Sequence, residues 1–180
     1  MAPDNVFLVG MMGAGKSTVG KALARRLGRE FVDCDREIVE RTGVPIATIF
    51  EIEGEDGFRR REAAVLVELA QRRGAVIATG GGAVLAEENR RLMRSHGTVV
   101  YLHAALEHLH ERTRHDNSRP LLAKGDRHAT LAALLEMRDP LYRETAHIVV
   151  ESATPSASSL AGRIALALEA REREAEGAPR

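Results

Sequence analysis

With 180 residues and an apolar content of 44%, the chain fits one domain with a core of its own. Its 26 basic and 26 acidic residues cancel to a formal net charge of zero, and no long basic block speaks for a nucleic-acid or anionic-membrane surface. Cys34 is the only cysteine, so no internal disulfide can form. No apolar run approaches the roughly 18 residues of a membrane span, and Met1-Ala2-Pro3-Asp4-Asn5 lacks the basic-then-apolar order of a signal peptide. A cytoplasmic protein with small-molecule partners, no nucleic acid and no membrane is expected.

The apolar run Val6-Phe7-Leu8-Val9 predicts a buried strand, and Gly10 to Ser17 follow as G-M-M-G-A-G-K-S. Val19, Leu23 and Leu27 recur every four positions, which predicts a helix from Lys16 capped at Gly28. Residues 30–33 predict a short second strand ending among acids. A helical stretch from Arg36 is expected to break at Gly43 and Pro45, resume through Ile46 and Phe50, and break again at Gly54 and Gly57 before a longer helix over Phe58 to Arg73. Residues 75–78 predict a compact strand running into Thr79-Gly80-Gly81-Gly82. A short helix over 87–94, a strand over 98–102 and a helix over 106–115 come next, and then a polar, proline-bearing loop through Gly125. The helix over 128–137 is expected to be disturbed at Asp139-Pro140. Residues 148–150 predict the last strand, and a helix from Ser156 is expected to fade into a frayed charged tail over 171–180.

Strands alternating with helices imply right-handed crossovers and a central parallel sheet covered on both faces, an α/β fold whose ligands bind at the carboxyl ends of strands. The stretch at Gly10 reads as a phosphate-binding P-loop. Its glycines let consecutive N–H groups face one concavity at a helix N-terminus, Lys16 reaches terminal phosphates, and the Ser17 hydroxyl is placed for Mg²⁺. Asp33 and Asp35 end a strand, and alternation on an extended chain would turn both carboxylates to one side, one for hydrated Mg²⁺ and the other for an incoming hydroxyl. The alternative is an acidic turn or a helix N-cap. Arg59 and Glu62, three apart, share a helical face and either brace an arginine fork for a carboxylate or form a solvated pair. Arg119 and Arg138 leave the same choice open. The seven histidines assemble no metal site. The absence of N-K-x-D, and of an acid ending the strand before Gly80, leaves a small-molecule kinase as the remainder.

In order along the chain, G-M-M-G-A-G-K-S, D-C-D at Asp33, T-G-V-P-I-A-T-I-F, G-E-D-G-F-R-R-R-E, T-G-G-G, R-P-L-L at Arg119 and R-D-P-L-Y at Arg138 resemble the shikimate kinases from Gly10 to about Tyr142. The resemblance implies a single P-loop kinase domain over residues 1–170 with a mobile lid at about 113–125, transferring phosphate from ATP to the 3-hydroxyl of shikimate. It implies that Gly13, Ala14, Gly15, Lys16, Ser17 and Thr18 wrap the phosphates, and that Ser17 and Asp33 serve Mg²⁺. Arg59 and Arg138 would grip the shikimate carboxylate, and Asp35 the ring hydroxyls, as base or orienter. Amides of Gly81 and Gly82 would approach substrate and migrating phosphate, Arg119 would close from the lid, and Arg112 would stack near adenine. Where the family often offers adenine an arginine, this chain has Ala153-Thr154-Pro155, and Gly57 stands where an acid is common. Rival readings are a kinase of another hydroxy acid such as gluconate, a nucleoside monophosphate kinase, and an ATP-binding module without turnover. With no heptad pattern and no long apolar face, a monomer is expected.

Overall fold

A computed structural model describes residues 4–152 and 156–177. Strand β1 (Asn5–Val9) is buried along its whole length and lies in the middle of a five-stranded sheet. The glycine loop leads from it into α1 (Lys16–Leu27), which ends at Gly28 in the left-handed conformation. Next come β2 (Phe31–Asp33), α2 (Cys34–Thr42), α3 (Ile46–Ala70) and β3 (Val76–Ala78). A short 3-10 turn, Ala83–Leu85, precedes α4 (Glu87–His96) and β4 (Gly97–His103). The chain closes with α5 (Leu106–Thr113), a 3-10 turn at Pro120–Leu122, α6 (Arg127–Thr145), β5 (Ile148–Glu151) and α7 (Ala157–Gly177).

All neighbouring strands pair in parallel, in the order β2-β3-β1-β4-β5. The chain builds to one side of β1 and then to the other. With right-handed crossovers, α1 and α7 pack together on one face, and α3, α4 and α6 on the opposite face. The core runs through both layers, from Leu23, Ala161 and Ile164 to Leu66, Leu69 and Met93. The crevice lies at the carboxyl ends of β1, β2 and β3.

Three expectations need correction. Helix α2 starts at Cys34, not Arg36, because the Asp33 carboxylate accepts from the amides of Asp35 and Arg36 and caps it. Of the two expected breaks at Gly54 and Gly57, only Gly54 leaves helical geometry (φ 72°, ψ −179°). Gly57 remains helical under Glu53, which crosses over it to pair with Arg61; a Cβ there would lie 2.4 Å from Glu53 Cβ. Helix α6 continues through Pro140 to Thr145. Helix α7 runs through Gly177, with every side chain from Glu169 exposed.

Candidate active site

The glycine loop is shaped by close approach. A Cβ on Gly10 (φ 147°) would lie 2.6 Å from the Leu102 carbonyl oxygen, and one on Gly13 (φ 82°) 2.8 Å from Thr113 Cγ2. Gly15, also left-handed, caps α1 without a side chain. The Ala14 amide donates to the Met11 carbonyl at 3.1 Å, so Ala14 shapes the loop from its buried side, whereas Gly13, Gly15, Lys16, Ser17 and Thr18 line the cleft. Lys16 Nζ donates to the carbonyls of Gly10 (2.6 Å) and Met11 (2.9 Å). Burial first, and then Arg119, lower its pKa to about 8 against the opposing pull of Asp35 and Asp33.

Asp33 has two tasks. Its Oδ1 caps α2, and its Oδ2 accepts from Ser17 Oγ, which joins the start of α1 to the end of β2 through two hard oxygens. Asp35 stands in the first turn of α2 and not on an extended strand, so the alternation argument fails although both acids face the cleft. Asp35 Oδ1 is buried without a partner. Burial, followed by Asp33, raises the Asp35 pKa, opposed by Lys16, Arg119 and Arg59.

The second half of α3 carries the predicted fork. Arg59 Nη1 donates to Glu62 Oε1 at 2.9 Å and Nη2 to Glu55 Oε1 at 3.2 Å, while Nε is buried without a partner. Glu62 is 1% exposed, its Oε2 is also unpartnered, and burial raises its pKa against the pull of Arg59. Arg138 on α6 is equally buried, with Nε and Nη1 meeting no acceptor. The glycine triplet fits between these groups. A Cβ on Gly80 would lie 2.5 Å from Glu62 Oε2, one on Gly81 3.3 Å from Arg138 Nη1, and one on Gly82 2.3 Å from Arg59 Nη2.

From the other side, Arg112 Nη1 donates to the Gly13 carbonyl at 3.1 Å, and Arg119 Nε to Asp116 Oδ2 at 2.9 Å. All the predicted site residues except Ala14 line one cleft of about 920 Å³. Sequence reading missed several contributors. Val44, Pro45, Ile46, Phe50 and Phe58 form an apolar wall, for which the V-P-I-A-T-I-F stretch was the available signal. Arg127 donates to the carbonyls of Thr113 and Asp116 and ties the end of α5 to the start of α6. Residues Ala153-Thr154-Pro155 lie outside the described residues. Among the described residues no cluster of three or more His, Cys, Asp or Glu could cage a metal.

Comparison with known proteins points one way. The shikimate kinase family model matches residues 12–169. The chain is 58% identical to a shikimate kinase of Nitrosospira multiformis over 91% of its own length and 84% of that protein's. It superposes on a shikimate kinase of Acinetobacter baumannii, solved in complex with shikimate, with a TM-score of 0.92 at 48% identity over 94% of each chain. A gluconokinase of Sinorhizobium meliloti, at 22% identity over 94% of this chain and 97% of that one, reaches a TM-score of 0.54, a likeness of fold alone.

Proposed function

The chain belongs to the shikimate kinase family, and from that premise we propose how its residues carry out the reaction. The enzyme transfers the γ-phosphoryl group of ATP to the 3-hydroxyl of shikimate, giving shikimate 3-phosphate for aromatic amino-acid biosynthesis. One observation carries the assignment of residues. Of seven buried side-chain polar atoms without a partner among the described residues, five belong to Asp35, Arg59, Glu62 and Arg138 around the glycine triplet. Unsatisfied buried groups of this kind are costly, and a ligand that pairs with them recovers that cost. The cations suit a carboxylate and the acceptors suit hydroxyls, which together describe a small hydroxy acid.

In this reading Arg59 and Arg138 take the shikimate carboxylate, with Glu55 and Glu62 holding the Arg59 fork in place. Asp35 accepts from the reacting hydroxyl. Its raised pKa makes it a better proton acceptor than an exposed carboxylate, while the loose transition state asks chiefly for alignment. The amides of Gly13, Gly15, Lys16, Ser17 and Thr18 receive the polyphosphate, and Lys16 Nζ exchanges its loop carbonyls for phosphate oxygens. Arg119 follows charge onto the migrating group as the lid closes over residues 113–125, and Arg112 flanks the adenine. The amides of Gly81 and Gly82 face substrate and migrating phosphate.

Ser17 Oγ and Asp33 Oδ2, already adjacent, fit a hard cation that retains water and phosphate ligands, and they would hold Mg²⁺. When bound, Mg²⁺ supplies charge neutralisation to the phosphate oxygens. The enzyme acts as a cytoplasmic monomer in this reading; no helix among the described residues is long and apolar enough to cross a membrane.

The deciding experiment measures ADP release from MgATP with shikimate, gluconate or AMP as acceptor, or with none. Release that requires shikimate supports the assignment. A preference for gluconate or AMP, or release without any acceptor, overturns it.

A further inference from the structure

The glycine triplet is held in a way that singles out one side chain. The Gly80 carbonyl accepts from the Ala83 amide and the Gly82 carbonyl from the Leu85 amide, both at 3.1 Å, so two of the three carbonyls close the 3-10 turn on themselves. The third, on Gly81, accepts from the hydroxyl of Tyr142. The amides of Gly80, Gly81 and Gly82 donate to nothing among the described residues. Tyr142 is fully buried behind the triplet and does not line the cleft, and its ring stacks on Tyr101 at 4.9 Å between centroids.

We infer that Tyr142 is a positioning residue for phosphoryl transfer: by holding the Gly81 carbonyl, it aims the Gly82 amide into the cleft. The step is geometric. In a planar trans peptide the carbonyl and the following N–H point in opposite directions, so anchoring the Gly81 oxygen inward turns the Gly82 N–H outward. Gly82 and Arg59 both line the cleft, and a Cβ on Gly82 would lie 2.3 Å from Arg59 Nη2. Tyr142 follows Arg138 by four residues on α6, so the helix that brings the buried cation also fixes the amide. Burial pushes the Tyr142 phenol up to about 12 against the charge of Arg138 and a hydrogen bond from its guanidinium, and the hydroxyl, held between Arg138 and the Gly81 carbonyl, remains a donor throughout the working pH range. The role rests on the reading that the Gly82 amide meets shikimate or the migrating phosphate.

Tyr142→Phe removes the hydroxyl and keeps the stacked ring. Tyr101→Phe is the matched control, because its hydroxyl is also buried and donates to Asp139 Oδ1 at 2.7 Å, away from the triplet. Tyr142→Phe is expected to lower kcat/KM for shikimate roughly tenfold, the effect of one hydrogen bond that sets an orientation, with KM for ATP and calorimetric MgADP affinity unchanged. Tyr101→Phe is expected to shift Tm without that split. Wild-type kinetics for Tyr142→Phe, or equal losses toward both substrates in both variants, would overturn the positioning role. Failure of wild-type protein to turn over shikimate would instead overturn the functional reading.

Discussion

Arg138 offers the sharpest test of where the substrate carboxylate binds. Arg138 is 1% exposed, and its Nε and Nη1 have no acceptor among the described residues. A carboxylate docking there gains charge-assisted hydrogen bonds at almost no further desolvation of the arginine. Truncation to alanine removes them and leaves the carboxylate against an apolar void, a loss of about 3 kcal/mol, or roughly 150-fold in kcat/KM for shikimate. Arg138→Lys keeps the charge but loses the fork, and is expected to fall roughly tenfold. Since Arg138 is the smallest named influence on Lys16, KM for ATP should move little in either variant. Initial rates at varied shikimate and fixed saturating MgATP, and the reverse, give both constants. Calorimetric unfolding adds an independent check. Arg138 touches the Tyr142 hydroxyl and feels the charge of Glu62, but a buried cation so incompletely paired contributes little to a fold, so Arg138→Met should unfold near the wild-type temperature while losing the shift that shikimate induces. Equal rises in both KM values, or a Met variant that unfolds many degrees lower, would show that Arg138 braces the fold and does not bind substrate.

The remaining predictions concern the acids and the triplet. Asp35→Asn should reduce turnover at least about 100-fold with MgATP affinity retained, read by single-turnover assay and calorimetry. Because the folded pKa of Asp35 is raised, the folded state binds more protons than the unfolded chain above the ordinary carboxylate range, and its ionised burial costs stability at neutral pH. Asp35→Asn should therefore raise Tm at pH 7, and the gain should vanish once both states are protonated, below about pH 4. Persistence of the gain at pH 3 would contradict the burial argument. Gly80→Ala places a methyl group 2.5 Å from Glu62 Oε2 and 3.0 Å from Asp35 Oδ1, and displacement of either acid should cost roughly 100-fold in kcat/KM for shikimate. An unchanged shikimate constant would mean that the pocket is softer than its packing.

The P-loop was readable because its chemistry is local: a buried strand, three glycines, a lysine and a hydroxyl are consecutive in sequence and remain consecutive in function. Pro140 was misread for the opposite reason. A proline removes one helical hydrogen bond and crowds the preceding turn, which on an isolated helix is decisive. In α6, however, Asp139 is tied to Tyr101 on β4 and Tyr142 to the Gly81 carbonyl, one contact on each side of the proline. Tertiary ties of that kind carry no signal at the proline itself. The Arg59–Glu62 pair shows the same limit. A spacing of three establishes a shared face, but only the fold sets its depth, and Glu62 at 1% exposure turns a solvated pair into a brace. Asp33 was read as either a metal ligand or a cap, and its two oxygens make both compatible.

The charges around Lys16 yield a prediction that separates free enzyme from complex. In the unliganded protein Lys16 is surrounded by Arg119 and Arg138 as well as by Asp33 and Asp35, and burial brings its pKa to about 8. Its ammonium is therefore partly lost just above neutral pH, and kcat/KM for ATP, which reports the free enzyme, should fall above pH 8. Bound polyphosphate adds several negative charges at contact distance and raises that pKa again, so kcat, which reports the complex, should stay flat over the same interval. Lys16→Met should lose roughly 1,000-fold in turnover. It should also unfold at a higher temperature than wild type at pH 7. The unfolded chain binds more protons than the folded one between about 8 and 10.5, so the wild type recovers stability across that interval and the difference closes. A limb near pH 8 in both kcat and kcat/KM would mean that phosphate does not reach Lys16, and the loop would then bind the nucleotide through its amides alone.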